Sequence, residues 1–274
     1  MKKIAAFFIV AVVALSTALA RADVKPNNLF SDHMVLQAST TVPVWGTAAP
    51  GEQVTVTLPD QKQSTAAGPD GKWMVHLASL KPGGPFEMTI AGNNSITVHD
   101  VLVGEVWLGS GQSNMQFPVG VSPVTKAYNG VTNMDQEIAA ANYPQLRMYT
   151  VKTLTPAQPQ DDTVGQWEVC TPDTVKAFSA IGYFFSRDLQ KELNVPIGFI
   201  NSSYGASTAE AWVSKPVLDA DPRFAPMMKN FQNAIDTFAA RPATAPAPIA
   251  AALPTPAPTT QAATRAARGR RGRG

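Results

Sequence analysis

The chain has 274 residues, 22 Lys plus Arg against 20 Asp plus Glu, and a formal net charge of +2. With 45% hydrophobic and 15% charged residues it has globular composition. That excludes a chain disordered throughout and leaves room for one long domain or two modest ones. The near balance of charge excludes a strongly basic body, so no nucleic-acid partner is expected. The basic excess is local, with Arg265, Arg268, Arg270, Arg271 and Arg273 crowded at the end.

The first residues read as a secretory signal. Lys2 and Lys3 form a charged start, an apolar run covers 4–15, and Ala18-Leu19-Ala20 or Ala20-Arg21-Ala22 offers a small-x-small cleavage site. The run is short for a bilayer span. Residues 1–22 are therefore expected to be a cleaved signal peptide, leaving no stable membrane anchor and a periplasmic or secreted protein. Export permits disulfides, but Cys170 is the single cysteine, so no internal bridge is expected. Cys170 reads as a small buried residue rather than a reactive thiol.

Residues 23–100 read as a β-rich module. Thr41-Val42-Pro43-Val44-Trp45-Gly46 and Gln53-Val54-Thr55-Val56-Thr57-Leu58 alternate apolar and polar residues, the pattern of strands with one face buried. Lys72-Trp73-Met74-Val75-His76-Leu77 and Glu87-Met88-Thr89-Ile90 add two more. Pro50-Gly51, Pro69-Asp70-Gly71 and Pro82-Gly83-Gly84 punctuate them as turns. Short strands between close turns suggest a small β-sandwich.

From 101 to 240 the pattern becomes α/β. Val101 to Leu108 is mostly apolar without alternation, which suits a strand buried on both faces. Gly109-Ser110-Gly111-Gln112-Ser113-Asn114 follows as a polar turn. Leu146 to Val151 reads as a second strand. Residues 178–193 read as a helix with Phe178, Ile181, Phe184, Phe185 and Leu189 on one face. Ile197-Gly198-Phe199-Ile200 reads as a third strand, running into the turn Asn201-Ser202-Ser203-Tyr204-Gly205-Ala206-Ser207. Residues 241–274 are Ala/Pro/Thr- and then Arg/Gly-rich, and read as a linker or disordered tail.

Two turns carry the candidate chemistry, each at the C-terminal end of a buried strand, where open α/β sheets place their sites. The first presents the Ser113 hydroxyl, and the second brings the Gly205 N–H toward the same point. Two converging N–H donors, from Ser113 and Gly205, form an oxyanion hole. From spacing alone, such Gly/Ser/Asn clusters are more often ordinary turns.

Gly104-Glu105-Val106-Trp107-Leu108 followed by Gly111-Gln112-Ser113-Asn114-Met115 resembles the nucleophile block of sialate O-acetylesterases, SGNH-type hydrolases acting on acetylated sugars. Leu29 to Gln37, Val42 to Gly46 with Pro50-Gly51-Glu52, Gly182 to Phe185 with Leu189, Pro196 to Ser203, and Ala209-Glu210-Ala211-Trp212 resemble further segments of that family. Tyr204 and Ala206 depart from its usual Trp and Gly, while Gly205 is kept. The resemblance implies an SGNH-hydrolase-like parallel sheet, incomplete here, behind the small β-sandwich-like module. It also implies a cofactor- and metal-free esterase whose substrate is an acetylated sugar or glycan. Ser113 is then the nucleophile that forms an acetyl-enzyme, and the Ser113 and Gly205 amides form the oxyanion hole. Gln112 and Asn114 hold the turn or touch substrate.

A serine needs a base, and the resemblance implies a histidine in a D-x-x-H motif near the C-terminus, together with a Gln-Gly-Glu-like block. Neither occurs here. His33, His76 and His99 all precede Ser113 and read as core or surface packing residues, and a His99–Asp100 dyad is disfavoured because chain neighbours rarely face each other. The chain is therefore expected to be cut short before the catalytic Asp/His block. The alternatives are a catalytically incomplete fragment or a glycan-binding remnant using Trp107, Tyr204 and Trp212, for which core packing is the simpler role.

Overall fold

The computed structural model describes residues 23–121, 128–154 and 158–240. The expected signal peptide and the expected tail from 241 lie outside the described residues. The chain divides into two compact units, with the division between Gly205 and Ala206.

The first unit opens with β1 (Lys25–Pro26), β2 (Val35–Gln37), β3 (Val42–Thr47), β4 (Gln53–Leu58), β5 (Gln61–Ala66), β6 (Lys72–Leu77) and β7 (Gly83–Ala91), followed by the long β8 (Ser95–Gly111). β1, β3 and β6 form one small antiparallel sheet, while β5, β4, β7 and the first half of β8 form part of another. The period-two sequence pattern becomes alternating burial. Val42 and Val44 of β3, Val54, Val56 and Leu58 of β4, and Trp73, Val75 and Leu77 of β6 are buried in one core with Met88, Ile90, Val98 and Val101. Each such side chain contributes about 1.5–3 kcal/mol relative to leaving it in water.

Two expected turns are strand instead. Gly83 and Gly84 lie in β7, and Gly109-Ser110-Gly111 ends β8. The reason is pairing. β8 runs antiparallel to β7 from Ser95 to Val103, then parallel to a later strand from Glu105 to Gly111. Ladder hydrogen bonds override the weak strand propensity of Gly and Ser. β8 is also continuous through residues 100 and 101.

After β8 come α1 (Ser113–Gln116), α2 (Met134–Ala140), β9 (Tyr143–Thr150), β10 (Trp167–Cys170), α3 (Ala180–Leu193) and β11 (Ile197–Ser203). The strand order is β10-β9-β11-β8, with β8, β11 and β9 parallel and β10 antiparallel. The sheet is therefore mixed, where a parallel one was expected. Helix α3 covers it over a second core of Leu146, Met148, Cys170, Phe178, Tyr183 and Phe199. Cys170 is buried as expected, and burial pushes its thiol pKa up to about 12, so it is inert at neutral pH.

Helix α3 starts where its sequence allows. The Ser179 hydroxyl accepts the Gly182 N–H at 3.1 Å, and Asn194 closes the helix in the left-handed conformation. The buried face overlaps the expected one only in part: Phe178 is buried and Phe184 packs on the second core. Ala180, Gly182, Tyr183 and Ser186 face inward, while Ile181 and Phe185 are exposed. The helix approaches the sheet closely at Gly182, since a Cβ there would stand 2.8 Å from the Phe199 ring.

The second unit holds a short turn of helix at Ala209–Trp212, α4 (Lys215–Ala220), another turn at Pro222–Phe224 and α5 (Ala225–Ala239). Among the described residues no helix is long and apolar enough to cross a membrane.

Candidate active site

β8 and β11 lie side by side and parallel, in register from Glu105↔Ile197 to Gly111↔Ser203. Their C-terminal ends therefore reach the same level, and the two expected turns leave from adjacent points. The Tyr204 N–H donates to the Gly111 carbonyl at 2.9 Å, which ties one turn to the other. Gly111 adopts φ +146°, a conformation L side chains rarely take. It redirects the chain from the end of β8 into α1, whose first residue is Ser113.

The α1 segment is held from below. Gln116 and Phe117 donate back to the Gln112 and Ser113 carbonyls. Val119 and Gly120 then pair with the Phe178 and Lys176 carbonyls, and Ala180 donates to Phe117 O at 2.8 Å. The buried Ser179 hydroxyl lies 3.7 Å from the Met115 sulfur. The segment after Ser113 is thus fastened to the start of α3.

Ser113 is half-buried, and its hydroxyl donates to Gln112 Oε1 at 3.2 Å. Gln112 and Asn114 are exposed. The Gly205 N–H donates to Gln116 Oε1 at 2.9 Å. A Cβ on Gly205 would collide with that same oxygen and approach the Tyr128 hydroxyl at 3.1 Å, so a side chain there would have to displace the Gln116 amide. Gln116 and Tyr128 were not singled out from the sequence. Gln116 lies one helical turn after Ser113, a spacing that would have marked it; Tyr128 carries no such signal. Asn201, buried on β11, accepts the Ser203 hydroxyl at 2.8 Å and braces the second turn.

The histidines lie elsewhere. His33 Nδ1 is 2.7 Å from Asp100 Oδ2, and His99 Nδ1 is 3.0 Å from Glu87 Oε1. His99 and Asp100 do not pair with each other. Both sit near the start of β8, roughly 40 Å along an extended strand from Ser113. His76 points outward from β6. His33 and His99 sit at the surface with a carboxylate beside each ring, within the core-or-surface packing role expected of them. Trp107, Tyr204 and Trp212, for which core packing was the simpler role, are all exposed. Trp107 stacks edge-on with Phe185 at 5.0 Å, and the Trp212 N–H donates to the Ser207 hydroxyl at 2.9 Å. Among the described residues no three His, Cys, Asp or Glu side chains gather closely enough to hold a metal ion.

No family model matches the chain. Single proteins do. The chain is 35% identical to human sialate O-acetylesterase over 210 residues, covering 69% of this chain and 39% of that protein. The mouse enzyme of the same name is 34% identical over 210 residues, with 69% and 37% covered. Among solved structures, a carbohydrate acetylesterase from Xanthomonas citri superposes with a TM-score of 0.66 at 35% identity, over 72% of this chain and 43% of that one. The chain spans about two fifths of the length of the curated relatives it matches. Over the region it shares with them, this chain is similar to the sialate O-acetylesterases.

Proposed function

We propose that this chain carries the nucleophile half of an exported carbohydrate esterase that removes O-acetyl groups from sialic acid or related acetylated glycans. In this reading Ser113 Oγ attacks the acetyl carbonyl, and a C–O bond forms to give a tetrahedral oxyanion. The ester C–O bond then breaks, leaving acetyl-Ser113 and a free sugar hydroxyl, and water releases acetate. The Ser113 proton passes to an imidazole base and on to the departing sugar oxygen. The Ser113 and Gly205 amides hold the oxyanion, while Gln112 and Asn114 support the turn or meet substrate.

The observation that carries this reading is the Gly205–Gln116 contact. A carbonyl oxygen, Gln116 Oε1, already accepts the Gly205 N–H one helical turn from Ser113. An acyl carbonyl has the same chemistry, so it can replace the Gln116 amide at that donor. The 35% identity to named acetylesterases supports the substrate class. The charged, apolar and small-residue order of 1–22 supports export.

One observation favours a second reading, a catalytically incomplete or glycan-binding piece. His33 and His99 are engaged far from Ser113, and His76 lies on another sheet. Acetate release from O-acetylated sialic acid and acetylated xylan separates the two. Turnover that falls at least about 10³-fold in Ser113→Ala supports the esterase. Sugar binding without acetate release rejects catalysis by this chain alone.

A further inference from the structure

Solvent-facing positions of an antiparallel sheet are normally polar. The outer face of β1-β3-β6 breaks that rule. Alternation turns Val42, Val44, Trp73, Val75 and Leu77 inward, which leaves Trp45 outward and directly across from Met74 in the β3–β6 register. Met74 is 47% exposed. The Trp45 ring is fixed edge-on against Phe30, with centroids 4.7 Å apart at 89°. A partly buried indole, packed against the first core, and an exposed thioether thus form an apolar floor.

A cavity of about 550 Å³ stands over this floor, within the size range of small-ligand sites. Its rim is charged and held in place. Lys72 Nζ pairs with Asp161 at 2.9 Å, and Lys25 Nζ with Asp162 at 3.4 Å. The segment carrying both aspartates is tied down, because Asn28 N donates to Asp162 Oδ1 at 2.8 Å and Asn27 Nδ2 donates to Asp161 O at 3.1 Å. Each ammonium and carboxylate keeps further donor or acceptor capacity beyond its ion pair. An apolar floor beside ion-paired donors and acceptors matches one class of ligand, a pyranose ring. Its C–H face rests on the indole while its hydroxyls both donate to Asp and accept from Lys.

Charge narrows the class. The cavity is lined by two ammonium groups and three carboxylates, Asp70 being the third, and both ammonium groups are already paired. An acidic sugar would bring its carboxylate into a net negative rim. We propose that this pocket is a subsite for a neutral saccharide unit, built on the N-terminal β-module and sharing no residue with the Ser113 turns. It takes from the esterase reading only the choice of sugars as probes.

The test titrates the full chain carrying Ser113→Ala with xylotetraose, cellotetraose, mannotetraose and N-acetylneuraminic acid, following indole fluorescence. The expected result is saturable binding of at least one neutral tetrasaccharide. That binding weakens by about tenfold or more in Trp45→Ala, weakens in Asp161→Ala and Met74→Lys, and is unmoved by Tyr204→Ala. Because the Trp45 ring also packs on Phe30, the two exposed substitutions decide the matter if Trp45→Ala fails to fold. The proposal is overturned if no neutral sugar saturates or if Asp161→Ala and Met74→Lys leave binding unchanged. Binding that follows Tyr204 instead, or equal binding of N-acetylneuraminic acid, also overturns it. Acetate release is measured separately, so a failed esterase reading leaves this result standing.

Discussion

Arg147 is 4% exposed, and its guanidinium reaches both oxygens of Asp100, at 2.6 and 3.1 Å. It also donates to the His33 and Asp100 carbonyls. Those two residues hold φ values of +68° and +54°, a region that Asp and His tolerate better than most. This contact joins the β-module to the mixed sheet. The Arg147 hydrogen bonds, and then the His33 contact, hold the Asp100 carboxyl below the usual carboxylate range. A depressed folded-state pKa gives stability that is present above the unfolded value of about 4 and lost as pH falls through the lower folded value. Asp100→Asn leaves a buried guanidinium half-paired and is expected to cost about 2 kcal/mol, discounted for Asp100's partial exposure. Urea unfolding across pH 3–7 should show a lower midpoint and a flatter acid limb; an unchanged midpoint would reject the clasp. Ala206 holds φ +64° where the resemblance has glycine. Ala206→Gly is expected to stabilise by about 1 kcal/mol, read as a rise in melting temperature, because alanine is strained there.

Helix α3 shows how packing chooses among sequence patterns. Its apolar periodicity was legible and its boundaries fell within two residues of the expected ones, but the inward face was only partly so. The period says that one face is buried; the steric fit to Phe199 says which. Gly182→Ala improves intrinsic helix propensity by about 1 kcal/mol. It also drives a methyl into a ring that is itself buried, at 2.8 Å. Overpacking of this kind costs about 1–3 kcal/mol, so the expected net change is destabilising, checked by chemical denaturation. A stabilised variant would mean that the helix does not approach the sheet this closely.

The second half of β8 governs the behaviour of the first unit as a whole. Glu105 donates to Pro196 O on the β11 side, so the parallel ladder turns Val106, Leu108 and Ser110 to the other edge. Gln37 Oε1 accepts the Val106 N–H at 2.8 Å. Beyond it, among the described residues, no strand pairs with that edge, and Leu108 is 68% exposed beside the half-exposed Trp107. An unpaired strand edge with apolar side chains recruits further strands. Concentration-dependent self-association is expected in sedimentation velocity, and Leu108→Lys should reduce it. A chain that stays monomeric at high concentration would show that this edge is covered.

Sequence by itself determined the local events. The alternating residues of β3, β4 and β6 bury one face because side chains alternate on any strand. The Gly-Gln-Ser-Asn block and the Gly205 turn were legible because each follows an apolar run and resembles one family. Tertiary structure decided whatever depends on a distant partner. It kept Gly109 to Gly111 inside a strand, since β11 pairs with them. It set α3 against the sheet at Gly182, brought Gln116 to the Gly205 amide, and sent Asp100 to Arg147 rather than to its neighbour His99. Each of these rests on a contact between residues far apart in the chain, and neither propensity nor spacing encodes which distant groups will meet.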